Sequence, residues 1–205
     1  MTKHFQINYS AHLLTFTLCQ HPKTKGFTLI ELLITIALLA ILSFIAVPGI
    51  QSLIIKNAST TSANQIASLV RYARKEAVFR NTNVTLCPSI DGLSCSNSEW
   101  HEGVLLFTDQ NSNSKVDEQD VVKRFAQPFL NSGSLTWRSL RNKVKFNSRG
   151  AVIGTAGSFV YCPDNKDAQM GASLVLSFQG RIRNGHDSNK NGIPETGSNK
   201  DIVCS

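Results

Sequence analysis

The sequence lacks the motifs that mark the common classes of enzyme. It contains no Gly-x-Ser-x-Gly nucleophile motif, no phosphate-binding loop and no His-Glu-x-x-His zinc motif. Only two of its five histidines, His101 and His186, lie beyond residue 26. His101 stands beside Glu102, a pairing that is more typical of a strand edge than of a general base. We therefore predict a protein that is not an enzyme, with no catalytic residues and no cofactor.

Acidic side chains are also scarce. The 205 residues include 14 Asp and Glu against 21 Lys and Arg, which gives a formal charge of +7. Between Lys123 and Arg183 there are ten basic residues and only two acidic ones, Asp164 and Asp167. Such a basic region suggests an acidic partner, although a modest excess of positive charge can also serve only solubility. The length suffices for one domain and an additional element.

Long hydrophobic runs are absent except for one, at residues 29–47. This run has a single charge, Glu31, and is about as long as the helix that spans a bilayer core. A cleaved secretory signal would be shorter and would end in small residues. Here the helical spacing of apolar residues continues, so we predict one helix from Phe27 to Arg80, with Pro48 as a kink. Its first half would lie in lipid and its second half would pack on a domain.

The residues around this run carry a family resemblance. The stretch "KGFTLIELLITIALLAILSFIAVP" resembles the prepilin signature of type IV pilins and type II secretion pseudopilins. The resemblance implies cleavage after Gly26 by a prepilin peptidase and methylation of the new amino group on Phe27. It also implies that Glu31, which is costly in lipid without a partner, pairs with the amino group of a neighbouring pilin subunit.

The same resemblance implies that the chain is divided into three segments. Residues 1–26 would be the leader, 27–53 the transmembrane half of the helix, and 54–205 the globular domain together with the second half of the helix. The protein would sit in the inner membrane as a single-pass protein before assembly. After assembly it would belong to a pilus, in the periplasm or outside the cell.

The region after Arg80 has the pattern of β-strands. Seven short segments rich in β-branched and aromatic residues are separated by Asn, Asp, Gly, Ser and Pro. Together with the long helix they predict an α+β, type IV pilin-like fold in which the helix packs on a β-sheet. Two segments, "WHEGVLLFTDQNSN" and "KFNSRGAVIG", resemble the FimT and GspH subgroup of minor pilins and pseudopilins.

Cysteine usage fits an exported domain. Loss of Cys19 with the leader would leave four cysteines, which can pair in three ways. An oxidising compartment favours disulfides, and no spacing matches a zinc site. We favour Cys87 with Cys95 and Cys162 with Cys204, because these are the nearest pairs in the sequence.

Two polar loops resemble part of a calcium-binding loop. The stretch "DSNKNG" at 187–192 has oxygen-bearing side chains at alternate positions, and "DQNSNSKVDEQD" at 109–120 is a looser version. The closing glutamate is missing from both, since Ser198 and Asp120 stand at the twelfth positions. Ordinary turns use the same residue types, so we assign no metal site and leave calcium at 187–198 open.

The stretch "LVLSFQGRIRNG" at 174–185 is the strongest candidate for binding. If one strand runs from Leu174 to Arg183, then Arg181 and Arg183 share a face with Val175, and two guanidinium groups could bind successive phosphates. Gly180 would leave room for an approaching backbone. No aromatic residue is adjacent to the arginines in the sequence, so we expect double-stranded DNA bound through phosphates, largely independent of base sequence.

The Gly180, Arg181 and Arg183 pattern matches the Gly-Arg-x-Arg motif of FimT-like minor pilins. That resemblance implies binding of extracellular DNA for uptake in natural transformation. We expect Arg141, Lys143 and Lys145 to extend the basic face. Two alternatives stay open at this point. The arginines could be a solvated strand end, and the protein could be a structural pseudopilin of type II secretion or of pilus initiation that contacts only other pilins.

Overall fold

The computed structural model describes residues 26–127 and 133–204. The predicted leader, apart from Gly26, lies outside the described residues. The chain divides into two compact units, residues 1–44 and 45–205. Helix α1 runs from Leu29 to Arg80, close to the predicted bounds. At its start the Glu31 amide donates to Oγ1 of Thr28 at 3.3 Å, as in other capped helices.

The end of α1 is fixed by a left-handed residue. Asn81 has a φ of 51°, and its amide donates to the Val78 carbonyl while the Thr82 amide donates to the Ala77 carbonyl. This pair of bonds satisfies the last carbonyl groups of the helix and stops it sharply. The backbone of the last turn is therefore held in place.

The first unit consists, in its described part, of the start of α1. The side chains from Leu29 to Phe44 are exposed, and α1 is the one helix of the described residues that is long and apolar enough to cross a membrane. Lipid-facing helices have this uniform apolar surface.

The second unit contains two antiparallel four-stranded sheets. The first has the order β3-β2-β1-β5 and the second the order β4-β6-β7-β8. Their strands are β1 Val84–Pro88, β2 Val104–Thr108, β3 Val122–Ala126, β4 Ser134–Arg138, β5 Val144–Phe146, β6 Gly157–Cys162, β7 Ala172–Leu176 and β8 Ile182–Asn184. The α+β class and the long helix packed on antiparallel sheet are therefore confirmed.

One core joins the helix to both sheets. The inner face of α1 contributes small and branched residues at helical spacing, namely Ala63, Ile66, Ala67, Leu69, Val70, Ala73 and Ala77. Trp100, Trp137 and Phe159 belong to the same core, and the ring centroids of Trp100 and Phe159 are 4.9 Å apart in an edge-to-face arrangement. Burial of these surfaces supplies the main driving force for folding.

The strand predicted from Leu174 to Arg183 is wrong. The chain leaves β7 at Leu176, reverses, and returns as β8, so that Val175 pairs with Arg183. The Ser177 amide donates to the Arg181 carbonyl at 2.9 Å, and Gly180 has a φ of +74°. A three-residue hairpin loop of this kind ends in a left-handed residue, and glycine adopts that conformation at the least cost.

The structure contains both disulfides in the pairing that sequence proximity favoured. Cys87 joins Cys95, eight residues away, and Cys162 joins Cys204, 42 residues away. The second bridge ties the C-terminal segment to the end of β6. It therefore holds that segment against the same sheet that ends in β8.

Candidate nucleic-acid interface

The β7–β8 hairpin positions both arginines. Arg181 immediately precedes β8 and Arg183 lies within it, and both side chains are exposed. The chain reverses between Val175 and the arginines, yet the residues that alternate with them from Val175 onward line one groove of about 380 Å³. This groove is formed by Val175, Ser177, Gln179, Arg181 and Arg183, together with Ile182, which strand alternation places on the opposite face. Residues that face each other on paired antiparallel strands point to the same side of the sheet, so Val175 and its partner Arg183 stay on one face although the chain has turned back.

The two guanidinium groups are available for a ligand. Within the described residues, the Arg181 guanidinium makes no hydrogen bond or ion pair, and Arg183 donates only to the neighbouring Asn184 carbonyl at 3.3 Å. Planar guanidinium groups suit phosphate because they can donate two parallel hydrogen bonds. The pair is thus free to bind an anionic backbone.

Further basic residues lie on both sides of the hairpin. Arg181 shares a cavity of about 690 Å³ with Arg71, Arg74 and Lys75 of α1. Arg183 shares a second cavity, of about 730 Å³, with Arg138 and Lys200, and one carboxylate, Asp201, also lines it. Asp201 accepts hydrogen bonds from the side-chain amides of Asn189 and Asn191, so part of its charge is already engaged.

Sequence reasoning missed the contribution of α1 and β4 to this basic surface. Arg71 and Lys75 are separated from the hairpin by about half of the chain, and only the packing of the helix on β8 brings them close. Arg138 ends β4 and donates to the Val203 carbonyl at 2.6 Å, beside the second disulfide. The sequence pattern places these basic residues on their own elements, but it does not indicate that they lie beside the hairpin.

Gly180 is confined by its neighbours. A Cβ atom at this position would collide with the Gly150 carbonyl oxygen and would lie 3.1 Å from the Phe146 ring. The same Gly150 carbonyl accepts a hydrogen bond from Nε of Arg74 at 3.0 Å. Helix, turn and hairpin are therefore locked together at this point, and the glycine serves the fold here.

The side chains of Lys143, just before β5, and Lys145, on β5, extend to the 109–120 loop. Nζ of Lys143 donates to the Ser114 carbonyl, and Nζ of Lys145 donates to the Ser112 carbonyl, each at 2.7 Å. Lys145 also lies 3.5 Å from the carboxylate of Asp109. Burial, reinforced by the nearby charge of Lys145, lowers the pKa of Lys143. Both lysines thus fasten the 109–120 loop, and neither they nor Arg141 line the cavities that contain Arg181 and Arg183.

The oxygen atoms of the two polar loops are occupied by hydrogen bonds. Asp117 accepts from the side-chain amides of Asn111 and Asn113, and these bonds, the first above all, lower its pKa. Asp187 accepts from the amides of Asn191 and Gly192. Among the described residues, no group of three or more His, Cys, Asp or Glu is placed to hold a metal ion.

Two family models match the sequence. The model described as type II transport protein GspH matches residues 62–180, and the model of the prokaryotic N-terminal methylation motif matches residues 21–47. The pilin-like protein PilA1 of Thermus thermophilus is 36% identical over 160 residues, which cover 78% of this chain and 90% of that protein.

Two solved structures are similar to this chain. The type IV minor pilin FimU of Pseudomonas aeruginosa superposes with a TM-score of 0.53 at 20% identity, covering 65% of this chain and 92% of that chain. The minor pseudopilin EpsH from the type 2 secretion system of Vibrio cholerae gives a TM-score of 0.44 at 12% identity, covering 62% and 94%. The FimU comparison supports the fold alone.

Proposed function

The chain belongs to the GspH family of minor pilins and pseudopilins, and from that premise we propose that it is a minor type IV pilin that binds extracellular double-stranded DNA for uptake in natural transformation. The observation that carries the proposal is the hairpin whose two guanidinium groups form no ion pair among the described residues, with basic residues on either side. Phosphate contacts of this kind give affinity without base specificity.

The N-terminal segment supports export and assembly. We propose cleavage after Gly26 by a prepilin peptidase, methylation of Phe27, and pairing of Glu31 with the amino group of a neighbouring subunit. The methylation-motif match over residues 21–47 and the apolar helix support this route. The protein would then be held in the inner membrane until assembly, and afterwards would present the hairpin on a pilus.

Removal of both guanidinium charges should weaken DNA binding. For the full chain in a neutral detergent, we expect Arg181→Gln with Arg183→Gln to lower affinity for duplex DNA roughly 10- to 100-fold near 0.1 M salt, because two phosphate contacts are lost. A gel shift or fluorescence anisotropy titration measures this. The matched control is Lys115→Gln with Lys166→Gln, which removes the same charge from positions outside the three cavities.

Two outcomes would reject the proposal. Equal losses in the arginine variant and in the control would mean that net charge alone attracts DNA. A chain that binds no DNA even at low salt would favour the alternative, a structural subunit that contacts only other pilins.

The lysine of β5 should behave differently from the arginines. We expect Lys145→Met to destabilise the domain by about 2 kcal/mol, because it removes a cation from beside the buried carboxylate of Asp109. Duplex affinity should stay within about two-fold of the unsubstituted chain. Chemical denaturation and the same DNA titration measure the two effects. A loss of affinity as large as that of the arginine variant would instead place Lys145 on the DNA-binding face.

A further inference from the structure

A cleft lies between the last turns of α1 and the β7–β8 hairpin. It has a volume of about 690 Å³ and is lined by Arg71, Arg74, Lys75, Val78, Phe79, Gly180, Arg181 and Ile182. We call it the helix–hairpin cleft. None of these described lining residues is acidic, and all belong to the unit that contains the sheets.

The cleft has an apolar wall with an exposed aromatic ring. Phe79 is 78% exposed and Val78 is 51% exposed, whereas the neighbouring Ala77 is fully buried. Ile182, half-buried at the start of β8, completes this wall. The Asn81 turn, which ends the helix at Arg80, holds the backbone at Phe79. Val78, Phe79 and Ile182 thus form one exposed apolar patch beside basic residues, and contiguous patches of this kind mark binding sites more often than single exposed residues do.

The cationic wall offers several donors to an anion. Within the described residues, the side chains of Arg71, Lys75 and Arg181 make no hydrogen bond or ion pair. Nε of Arg74 donates a hydrogen bond to the Gly150 carbonyl. This bond holds the Arg74 side chain in place at the edge of the cleft. The cleft thus combines a preformed aromatic surface with three uncommitted positive charges.

We propose that the helix–hairpin cleft binds an unpaired nucleotide, with its base stacked on Phe79 and its phosphates at Arg181 and Arg71. This inference rests on the proposed function and deepens it, because it names the part of a DNA molecule that the site prefers. Exposed aromatic rings beside a basic groove bind single strands by stacking, and every base has a face that can stack. The site would therefore prefer a strand end or a single-stranded segment over fully paired DNA.

The sequence pointed away from this conclusion. With no aromatic residue adjacent to Arg181 and Arg183, it favoured duplex DNA alone. The fold brings Phe79 across from α1 into the same cavity as Arg181. A duplex can still bind through the free arginines, whereas its paired bases cannot reach the ring.

Substitution of Phe79 separates stacking from charge. The probes for the full chain in neutral detergent are a blunt duplex, the same duplex with a short single-stranded overhang, and that overhang made of abasic nucleotides with the same phosphates. We expect the overhang to bind more tightly than the abasic probe, and Phe79→Leu to lower overhang affinity about ten-fold with little change for the blunt duplex. Because Phe79 is exposed, this substitution should not disturb folding.

A tryptophan variant supplies a direct signal. Trp100 and Trp137 are 1% and 9% exposed, so Phe79→Trp adds the one exposed indole among the described tryptophans. We expect this variant to keep overhang affinity, and we expect the overhang, but not the abasic probe, to quench its fluorescence.

The proposal is overturned if the overhang and the abasic probe bind equally, or if Phe79→Leu leaves overhang binding unchanged. Reduced incorporation of Phe79→Leu into filaments, without any change in DNA binding, would assign the cleft to a neighbouring subunit instead. Failure of the proposed function would give a different result. If the arginines do not bind DNA, Arg181→Gln with Arg183→Gln leaves affinity for the blunt duplex unchanged. If only the stacking proposal fails, this variant still binds the blunt duplex more weakly.

Discussion

Gly180→Ala should destabilise the domain by about 3 to 5 kcal/mol and abolish tight DNA binding. The new Cβ would collide with the Gly150 carbonyl oxygen, and the backbone φ of +74° disfavours any side chain. Neither neighbour can move easily, since the Gly150 carbonyl is held by Arg74 and the Phe146 ring is fully buried. The hairpin would have to shift, taking Arg181 out of place.

Gly154→Ala is the matched control for this effect. Gly154 also has a positive φ, +96°, but the nearest atoms to its Cβ position belong to the flexible Arg141 side chain at 3.6 Å. We expect a cost of about 1 to 2 kcal/mol from backbone strain alone, with DNA affinity retained. Chemical denaturation followed by a duplex titration measures both properties. Similar stabilities for the two variants would mean that Gly180 is required only for its φ.

Loss of the Cys162–Cys204 disulfide should be nearly as damaging. With the two cysteines 42 positions apart, the chain-entropy model gives about 4 kcal/mol for Cys162→Ser with Cys204→Ser. The bridge also holds Val203, whose carbonyl accepts from Arg138, and the adjacent Ile202 is 2% exposed. Release of this segment would remove Lys200 from the cavity that contains Arg183. We therefore expect both lower stability and weaker duplex binding.

The other disulfide provides the comparison. Cys87 and Cys95 are only eight residues apart, so their bridge should contribute about 2.5 kcal/mol in the same model. It lies in the other sheet, and its loss should leave duplex affinity close to that of the unsubstituted chain. Denaturation of the two serine variants, followed by DNA titration at a temperature where both are folded, makes the comparison. Equal effects on DNA binding would show that the C-terminal segment does not support the site.

Local patterns in the sequence predicted most of the fold. The helix from Leu29 to Arg80 follows from an apolar run that changes into a one-sided helical pattern, and both signals depend only on neighbouring residues. The strands follow from short segments between turn residues for the same reason. The disulfide pairing was favoured by the short separation of the partners.

The reversal at Gly180 could not be predicted in the same way. A strand and a three-residue hairpin place Ser177, Gln179, Arg181 and Arg183 on the same side, so residue alternation does not distinguish them. The hairpin differs from a continuous strand in the left-handed conformation of Gly180, which packs against Gly150, a residue of a turn 30 positions earlier in the chain. The sharing of a groove by Arg181 and Arg183 was thus anticipated from an incorrect backbone.

Contacts between distant segments decided the rest of the site. Lys143 and Lys145 alternate along the chain as a basic face would, yet the 109–120 loop folds back over them and accepts their hydrogen bonds. Arg71 and Phe79 belong to the helix pattern, where nothing indicates that β8 packs beside them. Charge and periodicity locate such residues on an element, but only tertiary packing selects their neighbours.

The salt dependence of duplex binding tests the central claim most directly. If Arg181 and Arg183 each neutralise one phosphate, the plot of log affinity against log salt for Arg181→Gln with Arg183→Gln should be shallower by about 1.8 than for the unsubstituted chain. The control variant Lys115→Gln with Lys166→Gln should keep the original slope. An unchanged slope in the arginine variant would contradict the account, because DNA would then be held elsewhere on the protein.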